Sequence, residues 1–228
     1  MSKLQFDNSE TGKRLLAIRR LLHTSMNRVT ADSMRDKSII YDVNWGVALP
    51  RIKEIAAMYE ADLELAQRLW EQKIRESMIL ASMLAPADDF PEENLLQWLD
   101  DVNNIELAEQ IAMNLLARLP EKESVSLMLV QSDNIWKQIT GFTLATRISS
   151  SYSDSDVNRF LRRAIELAES EEFFLYKSIA TALGRLCRHS SDTARKVEQA
   201  VKSIADKDAP GIARIVSEVE SEISFLDF

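Results

Sequence analysis

Four apolar segments of this chain open alike: IRESMILASMLA at Ile74, IELAEQIAMNLL at Ile105, IWKQITGFTLAT at Ile135 and FLYKSIATALGR at Phe174. Their starts lie 31, 30 and 39 residues apart. A recurrence of roughly 30–40 residues is that of helical-hairpin solenoids, in which each hairpin hides its apolar face by stacking on a neighbour. The chain has only 5 Gly and 5 Pro in 228 residues. Strand-rich folds consume many turn residues, so this scarcity points to long helices joined by short connections. Ala, Leu, Glu, Lys, Arg, Gln and Met, the good helix formers, dominate the rest.

Helical periodicity runs from about Thr11 to the C-terminus. The first helix is expected over Thr11–Met26, with Leu15, Ile18, Leu22 and Met26 on one face. A looser stretch, 30–47, holds Tyr41, Trp45 and Gly46. Pro50 opens a helix to Tyr59, since proline fits a first helical turn and not an interior. Asp62 caps the next, Leu63–Gln72. Paired helices follow over Ile74–Leu84, Pro91–Asp101, a segment capped by Asn103 or Asn104 and running to Leu119, and Glu121–Gln131. Then come Ile135–Ser149, Asp156–Ser170, Phe173–Arg188, Ser191–Ala205 and Pro210–Phe225. Asp, Asn and Ser at the starts satisfy free helix amides. No linker rich in Gly, Pro or Ser divides the chain, so a single domain over 1–228 is expected.

Charge narrows the function. The net charge is −8, whereas a dedicated nucleic-acid binder is basic on at least one face. The acidity is uneven. Residues 86–133 hold 2 basic and 11 acidic side chains, and residues 134–209 hold 12 and 10. The lone cysteine, Cys187, reads as a small core residue and excludes an internal disulfide. Two histidines, His23 and His189, are too few for a metal site. No phosphate-binding glycine loop or nucleophile elbow is present. No apolar run approaches a membrane span of about 18 residues, and no leader is visible, so a cytoplasmic protein without cofactor, metal or membrane contact is expected.

Several motifs together resemble a known family. YDVNWGVALPRIKEIAAMY (Tyr41–Tyr59) is similar to an entry motif of an aromatic and a glycine followed by V-x-x-P and a helix. LAQRLWEQKIRESMILASMLA (Leu65–Ala85) resembles its next hairpin, LLQWLDDVNNIELAEQIAMNLL (Leu95–Leu116) the one after, and FFLYKSIATALGRL (Phe173–Leu186) a late helix. In this order and spacing, over Tyr41–Arg188, they resemble the DNA alkylation repair family of HEAT-like-repeat proteins. The resemblance implies an all-α fold, a right-handed superhelix of HEAT-like helical hairpins. Active members are monofunctional DNA glycosylases that release cationic alkylated purines such as 3-methyladenine and 7-methylguanine. They use a basic concave surface for the backbone, aromatics facing the cationic base, a carboxylate that stabilises the developing sugar cation and an arginine that grips a phosphate.

Carried over position by position, the catalytic carboxylate falls at Glu109, one methylene longer than the family's aspartate. The aromatic one turn earlier falls at Ile105. The arginine falls at Gln138 or Ile139, and the second aromatic near Thr181. One role of four is kept in kind. The resemblance therefore implies a non-catalytic or degenerate relative that binds double-stranded DNA, or else a protein, on its concave face. The alternative is an active glycosylase using Glu109. Lys137, Lys177, Arg185 and Arg188 are the DNA-binding candidates. A larger basic set, adding Arg159, Arg162, Arg163, Arg195 and Lys196, reads either as one phosphate-tracking groove or as a solvated face paired with acidic neighbours. Trp70, Trp98 and Trp136 recur at hairpin positions, where packing is the expected role and base stacking the other. An apolar tip at Phe225, Leu226 and Phe228 either caps the last hairpin or docks on a partner.

Overall fold

The computed structural model describes residues 9–226. Thirteen α-helices and two 3₁₀ turns follow one another among them. The chain packs as two compact units, the first ending at Leu115 and the second beginning at Leu116.

The first unit holds α1 (Glu10–Thr24), α2 (Arg28–Asp36), α3 (Leu49–Ala56), α4 (Leu63–Trp70), α5 (Arg75–Leu84), α6 (Glu92–Asp100) and α7 (Ile105–Asn114). Helix α1 packs on α3 and α4, α5 lies against α3 and α4, and α7 continues beside α5. Ile18 and Leu22 of α1 are fully buried, as their spacing requires, while Met26 falls beyond the helix and is exposed. Trp70 and Trp98 knit α4 to α6: their rings stack in parallel with centroids 4.1 Å apart. Each indole N–H finds an acceptor, Asp101 at 2.7 Å for Trp70 and Gln67 at 3.0 Å for Trp98. Both are hairpin packing residues, as aromatics at helical spacing in an apolar stripe tend to be.

The stretch 30–47 is partly ordered. Asn27 accepts from the Thr30 amide and caps α2, a helix with no buried residue. After it, residues 39–47 are drawn onto the start of α5 by a buried charge network. Arg75, 3% exposed, grips Glu106 of α7 through Nε and Nη2 at 2.7 and 2.6 Å. Its Nη1 donates to the Val47 carbonyl and to Glu76, each at 2.9 Å. Glu76, fully buried, accepts from the Trp45 and Val47 amides at 3.2 and 3.0 Å. Tyr41 donates its phenol to Glu106 at 3.0 Å. Burial, and then the Glu106 charge, push that phenol above its ordinary range. Burial alone would lower the Arg75 guanidinium, but Glu106 outweighs it and holds it above its ordinary value. Every charge in the network has a partner, as burial demands.

The second unit holds α8 (Lys122–Gln131), α9 (Ile135–Ile148), α10 (Asp154–Glu166), α11 (Phe173–Cys187), α12 (Ser191–Lys202) and α13 (Pro210–Ser224). It is two rows of helices. Helix α10 touches α8 and α12 in one row; α11 touches α9 and α13 in the other. Gly141 permits a close crossing of α9 on α8, because a Cβ there would meet the Val130 amide nitrogen at 2.9 Å. Beside it the Ser126 hydroxyl donates to the Gly141 carbonyl at 2.9 Å and accepts from Tyr152 at 2.6 Å. Ser153 and Asp156 close a capping box on α10, two residues earlier than the sequence pattern places that helix. Cys187 is fully buried. Burial pushes its thiol up to about 12, so it stays protonated and unreactive near neutral pH. Phe225 is exposed beyond α13; Phe228 lies outside the described residues.

Candidate nucleic-acid interface

Whether a helix presents net charge depends first on its own sequence, because residues three or four apart are neighbours on its surface. Two helices of the second unit, α10 and α12, neutralise themselves this way or across their row. Arg163 of α10 pairs with Glu166 at 3.1 Å, Arg195 of α12 with Asp192 at 2.9 Å, and Lys196 with Asp154 at 3.0 Å. Helices α9 and α11 contain no acidic residue at all. Their cations are Lys137 and Arg147 on α9, and Lys177 and Arg185 on α11, with Arg188 as the C-cap.

Helix α11 buries Leu175, Ile179, Ala182, Leu183 and Leu186. That burial fixes its rotation and leaves Phe173, Lys177, Thr181, Arg185 and Arg188 exposed along the opposite stripe. Lys177 stands 5.9 Å from the Phe173 ring centroid. Arg185 forms no ion pair among the described residues. Arg188 is spent differently: Glu222 of α13 holds it bidentately, at 2.6 and 2.8 Å, and keeps its guanidinium above the ordinary value. On α9, Asn134 caps the first turn by accepting from the Trp136 and Lys137 amides at 2.9 and 3.2 Å. Trp136 is half-buried with its ring 6.2 Å from that of Phe174 at the start of α11, so the two helices begin side by side. The 3₁₀ turn that follows α9 also lies against α11, and Arg147 is exposed in the last turn of α9. Thr143 and Thr146 bond back to carbonyls of their own helix and add no donor.

The basic residues of the second unit therefore do not line one groove. Arg159, Arg163, Arg195 and Lys196 lie on α10 and α12 with acidic partners, whereas Lys137, Lys177 and Arg185 lie on the α9–α11 row. Arg147 belongs with the latter and is absent from the sequence-based set. Its signal was present, since residues 143, 144, 150 and 151, three and four positions away, are Thr, Leu, Ser and Ser.

The positions matched to the family's chemistry fare unevenly. Gln138 is buried and donates its amide to the Ser132 carbonyl at 2.7 Å, which closes the end of α8. Ile139 is core. Thr181 is exposed and donates to the Lys177 carbonyl at 3.0 Å. In the first unit, Glu109 is exposed on α7, with Ile105 half-buried one turn earlier. Glu106, on the same helix, is committed to Arg75. No group of three or more His, Cys, Asp or Glu side chains able to hold a metal ion exists among the described residues, and no helix among them is long and apolar enough to cross a membrane.

The model of a family described as DNA alkylation repair enzyme matches residues 18–214. No curated protein matches the sequence. A solved structure described as a new family of proteins related to the HEAT-like repeat DNA glycosylases, with affinity for branched DNA structures, superposes with a TM-score of 0.78. It is 15% identical, over 92% of this chain and 94% of that one. The two share the HEAT-like helical fold.

Proposed function

Because the chain belongs to the DNA alkylation repair enzyme family, we propose that it is a DNA-binding member which tracks the phosphate backbone along α9 and α11 and excises no base. The observation that carries this reading is a packed pair of helices without acidic residues of their own, carrying Lys137, Arg147, Lys177 and Arg185. Two packed helices with cations only, in a chain of net charge −8, place positive charge together without acids on the same helices. Phosphate contacts of this kind give affinity without sequence preference. The solved neighbour's described affinity for branched DNA structures supports DNA as the polymer. A protein partner, the other reading, is favoured by the acidic stretch 86–133, in which α6 and α7 carry acidic and no basic residues.

The absence of base excision rests on the site chemistry. A carboxylate that stabilises a developing sugar cation acts together with groups that hold the phosphate and the departing base. At the matched positions the phosphate-holding arginine is replaced by Gln138, whose amide is engaged with Ser132, or by Ile139, which is core. The aromatics are replaced by Ile105 and Thr181. Glu109 keeps a carboxylate exposed on α7, which is what favours the alternative of an active glycosylase. Release of 7-methylguanine and 3-methyladenine from methylated duplex DNA decides between them. No release is expected from the wild type or from Glu109→Gln. Release by the wild type that disappears in Glu109→Gln would establish the enzyme instead.

Binding is tested on the same DNA. Replacing both Lys177 and Arg185 by alanine is expected to weaken duplex binding alike for unrelated sequences. It should also lower the slope of log affinity against log salt by about 2, one per phosphate contact. Lys202→Ala on α12, where Glu198 is the partner at 2.5 Å, is the matched control and leaves both quantities unchanged. An unaltered slope in the double variant would remove α11 from the interface.

A further inference from the structure

Phe173 is an unusual residue to leave in water. It is the first residue of α11 and 54% exposed, while its neighbour Phe174 turns toward Trp136. Its ring meets Tyr176 edge-on at 5.5 Å and 81°, and Phe174 at 5.4 Å and 72°. A cleft of about 210 Å³ opens here, lined by Phe173, Tyr176, Lys177, Pro210 and Arg214. That is room for roughly seven waters at about 30 Å³ each, on the scale of one planar base.

The lining combines two kinds of group. Phe173 and Tyr176 provide aromatic surface. Lys177 and Arg214 provide positive charge, and neither is firmly committed. Lys177 stands near the Phe173 ring and forms no ion pair among the described residues. Arg214 pairs with Glu218 four residues on, at 3.0 Å, an exposed helical pair of the kind worth little and readily exchanged for a phosphate. A ligand satisfying both kinds of group carries a flat π-system and negative charge on one molecule, which is the composition of a nucleotide. Base–aromatic stacking tolerates any base, because each has a π-face. Inside a duplex those faces are already stacked on neighbours, so the cleft suits an unpaired nucleotide.

We propose that this cleft takes one unpaired nucleotide of a DNA strand, with the base against Phe173 and its phosphate held by Lys177 and Arg214. The inference rests on the DNA-binding reading above and adds to it a place where strand structure is sensed. Of the positions matched to the excision chemistry, none lines the cleft; Thr181 stands one helical turn beyond Lys177 on α11 and bonds to its carbonyl.

The test is fluorescence anisotropy with a labelled duplex and with the same duplex carrying a single-stranded oligodeoxyadenosine flap. The wild type is expected to bind the flap substrate about tenfold more tightly. Phe173→Leu, which keeps apolar volume but removes the ring, brings the two within about twofold by weakening the flap complex alone. Arg214→Gln acts in the same direction. Free dAMP at millimolar concentration competes away the flap preference and spares the duplex complex. Equal wild-type affinity for the two substrates would overturn the proposal, as would a Phe173→Leu variant that loses affinity for both alike. Tight binding of dAMP without any flap preference would assign the cleft to a free nucleotide and overturn the strand. Failure of the wild type to bind either DNA removes the backbone-tracking reading as well, an outcome distinct from loss of the flap preference alone.

Discussion

Arg75→Ala is expected to lower the free energy of unfolding by about 3–5 kcal/mol, the range for removing one member of a buried ion pair. The reason is what the guanidinium leaves behind. Its four hydrogen bonds serve Glu106, Glu76 and the Val47 carbonyl, and the Arg75 side chain is only 4% exposed. Without it two carboxylates face each other on adjacent helices in a largely water-free space. Glu76 keeps its two backbone amides, but Glu106 keeps only Tyr41. Urea unfolding followed by circular dichroism reads the loss as a lower midpoint at an unchanged slope. Glu106→Gln is expected to cost less than Arg75→Ala, since the amide oxygen still accepts from Arg75 and no second buried charge is stranded. An equal or greater loss for Glu106→Gln would show that the pair, and not the stranded carboxylates, dominates.

Gly46→Ala is the second large effect. Gly46 has φ +71°, a region where a Cβ is strained at about 1–3 kcal/mol. An added Cβ would also stand 2.0 Å from the Asn27 carbonyl oxygen and 2.8 Å from the Ala31 amide nitrogen. Both are backbone atoms of the first turn of α2, so no rotamer change relieves the contact. Overpacking adds about 1–3 kcal/mol or more. The movement would pull residues 44–47 off Glu76, so the variant is expected to lose stability by unfolding denaturation and to expose Trp45, with a red-shifted emission. Undiminished stability would mean that α2 is free to move away.

How far these features could be read in advance follows from where each one's information lies. Helix starts were legible because the cap is local: Asp62, Asn104, Asn134 and Pro210 each mark a first turn within three residues. Helix α2 was not, because periodicity reports a buried face and α2 has none. The segment ending at Leu119 reads as one helix, yet α7 stops at Asn114 and a 3₁₀ turn, Leu116–Arg118, follows. Its leucines remain buried either way, so the apolar pattern does not register the change. At the interface, the lack of acidic residues on α9 and α11 was visible in the sequence and would have added Arg147. The fate of Gln138 and the capture of Arg188 by Glu222, 34 residues away, depend on tertiary packing and leave no trace in local spacing.

The omission of acids from α9 and α11 has a further side. The neighbouring helices gain from their own i to i+4 ion pairs, each worth about 0.3–0.5 kcal/mol; these two forgo that support and rely on packing alone. Their own sequences supply cations and no acids. A polyanion laid along them would complete the set and favour the folded state by mass action, so the second unit is built to be somewhat less stable alone than in company.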